Sequence, residues 1–140
     1  MREIMTSSAA NRRLDASCQK PVILIVEDEV LVRIVMSEEL RAAGYDVVEA
    51  ATADEALSIL RSMVHVDLLL TDMTMPGALG GDDLVALVRA NFPLVKIVMV
   101  SGQQPKKKIR DVLDGFLLKP AVPTEVISCL RTLVAPVTAP

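Results

Sequence analysis

The stretch Leu68-Leu69-Leu70-Thr71-Asp72 restricts the possible folds more than any other part of the chain. Three consecutive leucines, entered from Val66-Asp67 and left through Pro76-Gly77, suit a strand buried on both faces, the condition of strands in a parallel sheet. Parallel strands need crossover connections, so the chain must supply further short apolar runs alternating with helices. The same stretch ends on a carboxylate. Burying an aspartate beside leucines is costly unless a cation, a hydrogen-bond donor or a chemical role offsets it, so Asp72 requires partners from elsewhere. The C-terminal ends of strands are also where open α/β sheets gather their ligands.

The remaining chain supplies the alternation. Residues 1–20 are polar and aperiodic, the pattern of a mobile leader. Val22-Ile23-Leu24-Ile25-Val26 is a β-branched strand candidate that stops at Glu27-Asp28-Glu29. From Val30 to Ala43, Leu31, Ile34, Val35 and Leu40 lie near helical spacing, with Gly44 at the C-terminal cap position. Tyr45 to Ala50 reads as a second strand, and Thr52-Ala53-Asp54-Glu55 has the form of a capping box ahead of Ala56, Leu57, Leu60 and Val64. After Asp72 comes a glycine-rich turn, Gly77 to Gly81, then a helix from Asp82 to Asn91 that ends at Phe92-Pro93. Val95 to Val100 is a fourth strand, Pro105 to Asp114 a short lysine-rich helix, and Gly115 to Leu118 a fifth strand ending at Lys119-Pro120. Pro123 opens the last helix, in which Val126, Ile127, Leu130 and Leu133 lead to Val134; residues 135–140 form a tail.

Five strands alternating with five helices imply right-handed crossovers and a doubly wound five-stranded parallel sheet of flavodoxin-like order 2-1-3-4-5. At 140 residues, about half of them apolar, the chain is the size of one domain with a full core, placed at 21–134. A net charge of −3 with both signs mixed gives no field for direct nucleic-acid or anionic-membrane binding. Cys18 and Cys129 form neither a disulfide framework nor a metal-ligand spacing, which fits reduced thiols in a cytoplasmic protein. No apolar run reaches bilayer length.

In the expected strand order, the ends of strands 1, 3, 4 and 5 bring Glu27, Asp28, Asp72, Ser101 and Lys119 to one edge. The four ordered segments Val26-Glu27-Asp28-Glu29, Leu70 to Gly77, Val100-Ser101-Gly102 and Leu117-Leu118-Lys119-Pro120 resemble those of the receiver domains of bacterial two-component response regulators. The resemblance covers Lys20 to Val134. It implies that Asp72 is the phosphoacceptor and Asp28 a direct magnesium ligand, with Glu27 acting beside it through water and the Thr74 main-chain carbonyl completing the protein's share. It further implies that Ser101 hydrogen-bonds the phosphoryl group, that Lys119 pairs with it, that Phe116 moves on activation, and that the Lys119-Pro120 bond is open to the cis form. The implied donor is a sensor histidine kinase or histidine phosphotransfer protein. Output is expected through protein contact at the face of helix 4, strand 5 and helix 5. On this reading the chain is a phosphoacceptor that assists its own phosphorylation and dephosphorylation rather than an enzyme acting on a separate substrate. The chemistry agrees, because a carboxylate attacking phosphorus needs mainly positioning and neutralisation of the equatorial oxygens, which magnesium and a lysine provide.

Taken singly, each of these residues has an ordinary reading. An acid or lysine past a strand is usually a solvated loop residue, Ser101 a turn former, Phe116 a core residue, and Lys106-Lys107-Lys108 with Arg110 a solvated helix face. His65 has no carboxylate or cysteine set around it and reads as a surface residue. The glycine cluster lacks a Gly-Lys-Ser/Thr ending and reads as a flexible turn. The alternatives are a receiver-fold interaction module not controlled by phosphorylation and two other classes built on the same plan. A phosphohydrolase of the haloacid dehalogenase type would need a second aspartate where Thr74 stands, and a dinucleotide-binding module would need glycines where Glu27-Asp28-Glu29 stand. Three departures from the receiver pattern stand out: one extra residue between Pro76 and Leu84, a shortened segment from Ser101 to Lys119, and Ala121 in place of an aromatic.

Overall fold

A computed structural model of the protein describes residues 19–75 and 77–136; most of the leader, Pro76 and residues 137–140 lie outside it. The strands are β1 (Val22–Val26), β2 (Asp46–Ala50), β3 (Leu68–Asp72), β4 (Lys96–Ser101) and β5 (Gly115–Leu118). The helices are α1 (Val30–Ala42), α2 (Ala53–Arg61), α3 (Gly81–Asn91), α4 (Lys107–Arg110) and α5 (Pro123–Leu133). All strand pairs are parallel, in the order β2-β1-β3-β4-β5. The expected doubly wound plan is therefore the observed one.

The leucine run behaves as its composition requires. Alternate side chains of a strand point to opposite faces, so Leu69 joins one core with Leu24, Leu84 and Ile97, while Leu68 and Leu70 join the other with Ile23, Ile25, Val126 and Leu130. Complete burial of such side chains contributes about 1.5–3 kcal/mol each, and β3 is the central strand of the sheet. Gly44, at φ +104°, ends α1 in the left-handed conformation that its place after the helix anticipated. Thr52 caps α2 by accepting from Glu55 N–H at 3.1 Å, although the Glu55 carboxylate reaches back to Ala51 N–H rather than to Thr52.

Helix α1 corrects the sequence reading. Of the four residues expected to face the core, Leu40 is buried, but Leu31, Ile34 and Val35 are 76%, 42% and 52% exposed. The helix instead turns Arg33, Met36, Ser37 and Leu40 toward the sheet. Arg33 fixes this rotation: its guanidinium donates to Glu27 O at 2.7 Å and lies 3.3 Å from the Glu49 carboxylate on β2. Two smaller differences concern helix lengths. Helix α2 ends at Arg61, short of Val64, which is exposed, and α4 is one turn rather than the expected ten residues.

The edge strand β5 is held by Asp114, whose carboxylate accepts from Ile97 N–H at 2.8 Å and from Arg89 at 2.7 Å. Partial burial alone would raise its pKa, but the Arg89 hydrogen bond, the Ile97 N–H and the Arg89 charge outweigh this and hold it below the usual 3.8. Because the folded pKa is the lower one, this stabilisation is present above 3.8 and is lost as pH falls through the folded value. Asp114→Ala is expected to lower unfolding stability by about 2 kcal/mol at neutral pH, read by urea titration, with a smaller deficit in acid. A deficit that does not change with pH would contradict the assignment.

Candidate functional site

The parallel register carries four strand ends to one edge. Val26 pairs with Thr71, Asp72 with Val100, and Ser101 with Leu118, so the residues just beyond β1, β3, β4 and β5 meet without any long loop. The ladder also continues past the strands. Lys119 N–H donates to Ser101 O at 2.7 Å, and Glu27 N–H donates to Ala50 O at 3.1 Å. Main-chain bonds of this kind fix where each side chain starts, which positions a site more firmly than flexible loops would.

At that edge Lys119 Nζ lies 2.7 Å from Asp72 Oδ2. The other Asp72 oxygen accepts from Thr74 N–H at 3.2 Å. Carboxylate oxygens of Glu27, Asp28 and Asp72 all lie within 4.8 Å of one another, with Asp28 exposed, Asp72 intermediate and Glu27 only 7% exposed. Burial is the main cause that raises the Glu27 pKa from 4.5 to about 7; a hydrogen bond with Asp28 and the Asp72 charge add to it, against the Glu29 N–H and Lys119, which lower it. Burial disfavours the Lys119 ammonium too, yet its bond to Asp72 and the charges of Asp72, Glu27 and Glu29 hold its pKa above the usual 10.5. Crowded acids with one lysine leave excess negative charge, and an oxygen-preferring divalent cation is the group that relieves it. The donor set fits magnesium.

The other expected residues are partly gathered. Ser101 is 1% exposed; its hydroxyl accepts from Gln103 N–H at 3.2 Å and faces Met73 Sδ at 3.9 Å rather than Asp72. Phe116 is half-buried against the core that includes Met99 and Ile109. The Lys119-Pro120 bond is cis. His65 is exposed as expected but does have a carboxylate partner, Asp67, at 2.8 Å. Lys107 pairs at 3.0 Å with Asp111, the residue directly after α4. Two contributors were missed by the sequence reading. One is Arg33, which ties the β1–α1 turn. The other is Gly81, read as part of a flexible turn: its N–H donates to Met73 O at 3.1 Å, and a Cβ there would overlap the main chain of Asp72 and Met73. A glycine directly following a second glycine and opening a helix behind the Asp72 strand was the available signal.

Because a bound divalent cation would replace the proton on Glu27, pH and magnesium are linked. The protonated form of Glu27 favours the metal-free fold below pH 4.5, and that contribution is lost as pH rises through about 7. Magnesium is therefore expected to raise the melting temperature more at about pH 8 than at about pH 6, and Asp28→Ala to abolish the rise. Thermal melts at the two pH values check this; an equal rise in the variant would refute the assignment.

The fold and this edge define a class: a flavodoxin-like α/β protein whose central strand ends in an aspartate paired with a lysine beside further acids. The family model described as response regulator receiver domain matches residues 23–131, and the chain belongs to that family. It is 31% identical over 113 residues to the two-component response regulator ORR3 of Oryza sativa, covering 76% of this chain and 86% of that protein. It is 37% identical over 103 residues to the sensor kinase CckA of Brucella abortus, covering 70% of this chain but 11% of that one. The chain likewise spans only 48% of the regulator ycf27 of Porphyridium aerugineum, at 30% identity. Among solved structures it resembles the response regulator TrrA of Thermotoga maritima in complex with Mg²⁺-BeF, with a TM-score of 0.75 and 26% identity over 81% of this chain and 99% of that one. Among the described residues no helix is long and apolar enough to cross a membrane.

Proposed function

We propose that this protein is a phosphoacceptor switch, in which Asp72 takes a phosphoryl group from the phosphohistidine of a sensor histidine kinase or histidine phosphotransfer protein. The observation that carries the reading is the 2.7 Å contact between Lys119 Nζ and Asp72 Oδ2 beside the Glu27–Asp28 pair. An Asp72 oxygen attacks phosphorus, the bond from phosphorus to the donor's ring nitrogen breaks, and the imidazole keeps the electron pair. Glu27, Asp28, Asp72 and the Thr74 carbonyl would hold magnesium, which when bound supplies positive charge to the equatorial oxygens. Lys119 adds a second positive charge, as a point charge rather than a fork. Ser101, whose main-chain carbonyl accepts from Lys119 N–H, hydrogen-bonds the transferred group after turning from Met73. The same groups assist hydrolysis of the aspartyl phosphate, so the chain sets its own phosphorylated lifetime in the cytoplasm.

Output follows from the same geometry. Drawing Ser101 inward frees space beside β4 that Phe116 can enter, which changes the face made by α4, β5 and α5. A protein partner is switched only to the extent that it binds the two states of that face differently. Intact-mass measurement after incubation with magnesium and acetyl phosphate tests the acceptor reading: one added phosphoryl group supports it, and an unmodified chain under conditions that label a known receiver contradicts it.

A further inference from the structure

A hollow of about 540 Å³ lies beneath α1, sharing Glu27, Asp72 and Lys119 with the acceptor edge at one end and extending away from it between apolar walls that the edge does not use. That is within the range of small-molecule sites, which are mostly apolar with a few polar groups at one end. Its walls are Val32 and Met36 of α1, Val100 of β4, and Pro120 with Ala121 after β5. The small side chain of Ala121 leaves the wall open where a larger one would close it. A shallower apolar groove continues outward from Val32, Met36 and Ala121 to Leu31, Val35 and Pro123. Leu31, Val32 and Val35 are among the residues left exposed by the rotation that Arg33 imposes on α1.

The polar end is strongly one-signed. Glu27, Glu29 and Asp72 line it against a single cation, Lys119, which is already engaged by Asp72 at 2.7 Å. Glu29 is exposed and has no ion-pair partner among the described residues. An apolar anion would meet net repulsion here, and a simple inorganic cation would leave the apolar walls wet. We propose that this hollow binds a small organic cation with an apolar body, an aryl- or alkylammonium, its charge held by Glu27 and Glu29 and its body packed between α1 and Ala121. Because Glu27 also belongs to the acid cluster, such a ligand competes with magnesium and so slows phosphoryl acceptance. That regulatory half rests on the acceptor reading; the binding half does not.

The test is titration of the full chain with phenethylamine, followed by amide NMR, with phenylacetate and ethylamine as controls for body and charge. Saturable shifts at Val32, Met36 and Ala121 are expected, with both controls weaker by about tenfold or more. Ala121→Phe, which fills the hollow, and Val32→Lys, which sets a like charge at its exposed rim, should each weaken binding by a similar factor. Val32→Lys, at an exposed position, decides the matter if the filled variant folds poorly. Magnesium should raise the apparent Kd, and saturating phenethylamine should slow labelling by acetyl phosphate in a way that added magnesium reverses. Ethylamine binding as well as phenethylamine, or variants binding like the parent, overturns the site. Normal binding with no effect on labelling overturns only the regulation, and a parent chain that cannot be labelled even without amine overturns the acceptor reading while the binding result stands.

Discussion

Asp72→Asn should accept no phosphoryl group from acetyl phosphate or from a phosphorylated kinase, while folding normally. An amide is nearly isosteric with the carboxylate, so its oxygen can still accept from Thr74 N–H at about the same place. The variant, however, lacks the anionic oxygen that attacks phosphorus. Other acids lie nearby, but Glu27 is buried, with its pKa raised to about 7 chiefly by that burial, and Asp28 is the exposed member of the cluster. Neither ends the central strand beside Lys119. Intact-mass measurement after magnesium and acetyl phosphate reads the result directly, and peptide mapping locates any residual label. Labelling of the variant at the parent rate would move the nucleophile elsewhere. An Asn variant that unfolds would leave the comparison to Asp72→Glu, whose carboxylate is displaced by one methylene and should be labelled far more slowly than the parent.

The second large effect is expected at Lys119. A preorganised charge aimed at developing negative charge is typically worth a factor of about 10²–10³ in rate, and Lys119→Met should lose about that much in labelling by acetyl phosphate. Its consequence for stability separates this from a simple folding defect. Removing the one cation leaves Glu27, Asp28 and Asp72 facing each other, so the variant should be less stable than the parent without magnesium and should recover more stability than the parent when magnesium is added. Lys119→Arg keeps the charge but changes its shape, and should fall between the two in rate. A Met variant labelled at the parent rate would show that Lys119 serves only to hold Asp72 in place.

The sheet was legible because its signals are local and redundant. Each buried strand is a short apolar run ended by a polar residue, and the four polar ends could be recognised as one site once the strand order was set. Asp72, Lys119 and the acids after β1 meet as the sequence implied, because the parallel register leaves strand ends little freedom. What could not be read was rotation and contact at a distance. The stripe of Leu31, Ile34 and Val35 is a fair amphipathic pattern, and the reason it faces outward lies in Arg33 binding Glu27 O and Glu49, the latter sixteen positions away from it. Periodicity scores a helix's apolar side without knowing which tertiary tie fixes its phase. The depth of Ser101 and its turn toward Met73 are likewise properties of packing between β3 and β4, not of either segment alone.

Gly81 carries a consequence of a different kind. Its α-carbon is pressed against the main chain of Asp72 and Met73 so closely that no side chain can be inserted without displacing Asp72 or opening the first turn of α3. The constraint on this position is therefore purely steric: the residue has no functional group and takes no part in any bond that is made or broken. Substitutions that spare every charged atom of the site would still silence it here, and a search for lost signalling among natural variants should expect to find them at a position with no chemistry of its own.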